Sequence, residues 1–139
     1  MTRVLISFAL LFALCAPVVA AESETTLDGT YWKVRDNSFL EKILFWRLDH
    51  VSFRDGMFRA QHWEAKGFAA AAYAATKSAE SSIAWTATLI SAEKGKVVWE
   101  GRRMGKTMEG TWAWRKPDGS TKTMSWSARQ SLRDYVRAK

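Results

Sequence analysis

From residue 83 onward the chain alternates apolar and polar residues, and turn residues interrupt the alternation at short intervals. Ile83, Trp85, Ala87 and Leu89 fall on one face, with Ala84, Thr86 and Thr88 on the other. Val97 and Trp99 continue the apolar face. Met108, Trp112 and Trp114 then oppose Thr107, Glu109, Thr111 and Arg115. Met124, Trp126 and Ala128 oppose Thr123, Ser125 and Ser127. The breaks are Glu93-Lys94-Gly95-Lys96, Gly105-Lys106 and Pro117-Asp118-Gly119. Period-two alternation bounded by such turns marks antiparallel hairpins. The pattern predicts four meandering strands at 83–91, 96–103, 107–115 and 120–128.

The first half is more varied. Thr30 to Arg35 alternates, with Trp32 and Val34 together. Val51 to Arg54 and Met57 to His62 flank Asp55-Gly56, a strong hairpin signal. Asn37 to Leu48 reads as a helix: Ser38 and Glu41 form a capping box, and Phe39, Ile43 and Trp46 recur at helical spacing. Residues 67–76 are alanine-rich, which favours a helix by propensity. Ala69, Ala71 and Tyr73 also alternate, and a strand here would link the two hairpin blocks. The strand is the reading adopted. Together with 29–35, 50–54, 57–63 and 67–75 this makes eight strands. The expected fold is all-β: an antiparallel up-and-down eight-stranded barrel, closed so that no edge is exposed. It would carry one short helix near 37–48. The tail, with Leu132, Tyr135 and Val136 at helical spacing, reads as a short C-terminal helix that closes the barrel end or touches a membrane surface.

Residues 1–21 read as a secretory signal, leaving 22–139 as one domain. Arg3 is the positive region, Val4 to Cys15 an apolar run, and Pro17 to Ala21 a small-residue cleavage region. The run is too short to span a bilayer core of about 30 Å, which takes roughly 20 residues. Leu14 argues against a lipidated Cys15, since a small residue is expected there. Cleavage would remove the one cysteine. A periplasmic or secreted bacterial protein is expected, and nucleic acid is a poor partner for it.

The residues Leu27-Asp28-Gly29-Thr30-Tyr31-Trp32 at the first strand and Arg129 after the last resemble those of lipocalin-type (calycin-like) barrels. The resemblance implies a barrel that holds a small ligand, and an Arg packed over the first-strand Trp. Gly29 and Trp32 have two residues between them here, where the family has one.

Eight tryptophans in 139 residues is the compositional oddity. Trp85, Trp99, Trp112, Trp114 and Trp126 recur on the inward face. They read either as a filled core or as the lining of a pocket for a small apolar or aromatic ligand. Charge supplies the second candidate. Residues 102–139 carry ten basic and three acidic side chains, against ten and eleven in residues 22–101. Arg102, Arg103, Lys106, Arg115 and Lys116 are the expected contacts to an anionic envelope surface, the protein then acting as a scaffold or adaptor. Catalytic signals are thin. His62 and Glu64 would share one strand face, and His50 lies beside Asp49. There is no Gly-x-Ser-x-Gly elbow, no His-Glu-x-x-His and no phosphate-cradling glycine loop. A non-enzymatic binding protein without catalytic residues, metal or cofactor is the expectation.

Overall fold

The computed structural model describes residues 26–37 and 48–132. The expected leader, nearly all of the expected 37–48 helix, and the tail from residue 133 lie outside the described residues. Eight antiparallel strands run in sequence order: β1 (Thr30–Asp36), β2 (Leu48–Arg54), β3 (Met57–Ala60), β4 (Ala71–Lys77), β5 (Ile83–Ser91), β6 (Gly95–Met104), β7 (Thr107–Arg115) and β8 (Thr121–Ser131). Each pairs with its neighbour, and β1 pairs with β8, so the sheet closes into a barrel.

Alternation sets the register. Trp32 and Val34 point inward while Lys33 and Arg35 point out. Trp85, Ala87, Leu89, Val97, Trp99, Met108, Trp112, Trp126 and Ala128 are buried. Thr86, Thr111, Arg115 and Ser125 are exposed on the outer wall. The Asp55-Gly56 hairpin forms as expected, with φ of 53° and 73°, the two left-handed residues that a type I′ turn needs.

The alanine-rich segment is a strand, but only from Ala71. Pairing of Tyr73 with Ala87 and Ala75 with Trp85 overrides its helix propensity. The third strand is shorter than expected. It stops at Ala60, and the chain winds into the single helical turn α1 (Gln61–Ala65). Asp49 on β2 accepts the His62 N–H at 2.9 Å, satisfying one of the donors that a helix start leaves open. Arg59 grips Glu64 through Nε at 2.6 Å and through a second nitrogen at 3.2 Å. Gly67, at φ 95°, then turns the chain out of α1 and on to Phe68. His62 and Glu64 therefore do not share a strand face.

Candidate functional site

The five expected tryptophans all point inward, four of them buried and Trp114 half-buried. Their surroundings are other rings. In the middle of the barrel Trp85 lies 4.8 Å from Phe53 and 5.0 Å from Phe58, centroid to centroid. Trp99 and Trp126 stand 5.5 Å apart, and Phe58 is 5.2 Å from Trp99. Such spacings are those of rings in direct packing. Gly101 is the concession to this crowding: a Cβ there would come within 2.6 Å of the Trp85 indole and 2.8 Å of Trp126. Trp85 Nε1 reaches the Met108 sulfur at 3.2 Å. The indole N–H groups of Trp99 and Trp126 are buried with no hydrogen-bond partner among the described residues.

Both barrel ends are stoppered. At one end α1 inserts Trp63 among Trp112, Trp114 and Phe68, at 5.1, 5.4 and 5.2 Å. The Lys66 ammonium lies over Trp63 and Trp114, and Lys116 lies over Trp114 at 4.9 Å. Trp112 donates its N–H to Asp36 at 3.0 Å. Asp49 sits in the same mouth. Burial, opposed by the backbone N–H groups of His62 and His50, pushes its carboxyl up to about 7. At the other end Leu27 is fully buried. Tyr73 OH donates to Asp28 at 2.8 Å and accepts from the Leu27 N–H at 3.0 Å. Tyr73 thus closes the end opposite Trp63 and Phe68 and does not share their mouth.

The expected basic residues do not form one cluster. Arg103 turns inward, over the Trp32 ring at 5.4 Å, with its Nε donating to the Gly105 carbonyl. It takes the place over Trp32 that the family resemblance assigned to Arg129. Arg129 has the opposite parity: it pairs with Lys33 and is exposed. Arg115 and Lys116 lie at the α1 end, and Lys106 lies in the β6–β7 turn at the other. Arg102 stands on the outer wall opposite Glu109.

What the barrel does assemble is a groove of about 570 Å³ on the outside of β1, β8 and β7. Among the described residues its cations are Lys33, Arg35 and Arg129, and Glu109 is its one acid. Lys33 and Arg129 are direct cross-strand partners, an arrangement that repels unless an anion lies between them. On β2, His50 is the other partner of Lys33. Burial first, and then the Lys33 charge, holds the His50 imidazole below its ordinary pKa. Lys33 and Arg35 escape a reading confined to the basic C-terminal third. Closure of the first strand on the last, together with the parity of Trp32 and Val34, is the signal that places them beside Arg129.

No protein-family model, curated protein or solved structure matches the chain. Among the described residues no three His, Cys, Asp or Glu side chains gather as a metal set would require, and no helix is long and apolar enough to cross a membrane.

Proposed function

We propose that this is an exported, calycin-like barrel that binds without catalysis, holding anionic groups of the cell envelope on its outer wall. The observation that carries the reading is the Lys33–Arg129 pair facing into an open groove beside Arg35. Like charges placed directly opposite on a sheet destabilise it. A bound phosphate, sulfate or carboxylate turns that repulsion into attraction, and arginine supplies a fork that matches such groups. The groove is open and exposed, whereas the interior is occupied by packed rings between two stoppered ends.

A second reading keeps a small apolar or aromatic ligand in the interior, touching Trp85, Trp99, Trp112, Trp114 and Trp126. Its support is the pair of buried indole N–H groups with no acceptor, which a ligand oxygen could satisfy.

Titration with salt separates the two. Affinity for dextran sulfate should fall steeply as salt rises from low to physiological concentration, where the screening length is about 8 Å. Lys33→Gln with Arg129→Gln should abolish most of that binding. Unchanged affinity in the double variant overturns the outer-wall reading. Salt-independent binding of a fatty acid or small aromatic compound, with a shift in tryptophan fluorescence, would establish the interior instead.

A further inference from the structure

The groove opens on a lip that carries more than charge. Met104, which ends β6, lines the groove with Lys33 and Arg129 and is 48% exposed. Leu132 follows the last residue of β8 and is 99% exposed. The Gln130 N–H donates to the Lys106 carbonyl at 2.9 Å, so the end of β8 lies against the β6–β7 turn. Met104, Leu132, Lys106 and Arg129 therefore share one corner of the barrel. A single exposed apolar side chain means nothing by itself. Two at the mouth of a cationic groove are the composition of an interfacial contact, in which cations meet anionic headgroups and apolar tips enter the acyl boundary.

We infer that this corner docks the barrel on an anionic lipid bilayer surface, with headgroup phosphates against Lys33 and Arg129 and the side chains of Met104 and Leu132 inserted. The inference rests on the outer-wall reading and adds the partner. The contact is peripheral. A barrel that crosses a bilayer needs an apolar outward band. Here the outward positions are mixed: Ile90, Val98 and Ala113 are interrupted by Lys33, Arg35, Thr86, Glu100, Arg102, Thr111 and Ser125, so the described outer wall carries no continuous apolar band. A soluble polyanion would engage the cations and leave Met104 and Leu132 in water. The two apolar side chains are thus what discriminates between partners.

The experiment is co-sedimentation of the exported protein with vesicles of phosphatidylcholine alone or mixed with phosphatidylglycerol, beside binding to dextran sulfate. The mixed vesicles should retain the protein and the neutral ones should not. Leu132→Ser, outside the groove lining, should lower partition onto the mixed vesicles by about tenfold, from the lost apolar burial, and leave dextran sulfate affinity unchanged. Lys33→Gln with Arg129→Gln should lower both. All three side chains are exposed, so thermal melts of both variants should match the parent within a few degrees. Full vesicle binding by the serine variant overturns the lipid inference. So does a parent protein that binds dextran sulfate but not the mixed vesicles, and in both cases the outer-wall reading survives. Failure of the parent to bind either probe ends both.

Discussion

Trp99 and Trp112 are cross-strand partners on the same inner face, yet their indole nitrogens live in different chemistry. Trp112 donates to the Asp36 carboxylate at 3.0 Å, a charge-assisted bond near the α1 end. Trp99 buries its N–H with no partner in the middle of the barrel, as does Trp126. A buried donor without an acceptor costs about 1–3 kcal/mol. Phenylalanine at 99 removes that cost while keeping a ring against Phe58 and Trp126. The volume lost opposes this by about 1 kcal/mol at the usual cavity coefficient. Trp99→Phe should therefore leave the unfolding free energy within about 1 kcal/mol of the parent. Trp112→Phe should cost about 1–3 kcal/mol more, because a bond to a carboxylate is lost as well. Denaturant unfolding of the two variants checks the order. Equal losses would mean that the Trp99 N–H has an acceptor after all, as the interior-ligand reading requires. The inward parity of these residues was legible from alternation alone. Which of them found a hydrogen-bond partner was not, because Asp36 lies seventy-six positions from Trp112 along the chain.

At the scale of elements, α1 shows where a periodic reading stops. Strands β5 to β8 are long, and their alternation is clean enough to give their faces and most of their bounds, although β8 runs on to Ser131, three residues past the expected end, and so takes in Arg129. A helix of five residues offers barely one turn of periodicity, and Gln61 to Ala65 continues the apparent alternation of β3. What decides it is tertiary: Asp49 on β2 holds the His62 N–H, and Trp63 fills the mouth between Trp112 and Trp114. The alanine-rich strand shows the converse, since partners on β5 override its propensity. Asp49 also makes the plug sensitive to pH. Its carboxyl is raised from 3.8 to about 7, chiefly by burial, with Asp36 and Glu64 adding to the rise. The folded state thus holds this proton more tightly than the unfolded chain does. The stability contributed by this group is complete below about pH 4 and is lost as pH climbs through about 7. Asp49→Asn keeps an oxygen for the His62 N–H and removes the titration. Its melting temperature should match the parent near pH 3 and exceed it at pH 8, with the difference growing between about pH 4 and pH 7. Parallel melting curves across the range would show that Asp49 ionises without penalty.

At the scale of the whole molecule, the first strand closing on the last is what creates the candidate site. Lys33 and Arg129 lie ninety-six positions apart in the sequence and become direct neighbours only when β1 meets β8. Eight alternating strands made the barrel legible. The functional weight given to the basic C-terminal third followed charge density along the chain, not adjacency around the barrel, so Lys33 and Arg35 went unread. The same closure sets stability against binding. Like charges across the seam weaken the pairing that completes the barrel, and opposite charges there are worth about 0.2–1 kcal/mol. Lys33→Glu replaces a repulsion with an attraction toward Arg129 and so should strengthen the seam. It should raise the melting temperature at low salt by about 2–5 °C, the usual equivalence for a domain of this size. It should also abolish binding to dextran sulfate, because the groove would then hold a second carboxylate besides that of Glu109. Raising salt should shrink the stability gain, since the seam is exposed and screened. For the parent, salt should do the reverse and stabilise by damping the Lys33–Arg129 repulsion. A groove that served only to keep the chain soluble would gain stability in Lys33→Glu without losing any ligand. Simultaneous gain of stability and loss of binding, read in one set of melts with and without dextran sulfate, is the result that marks the Lys33–Arg129 pair as kept for function.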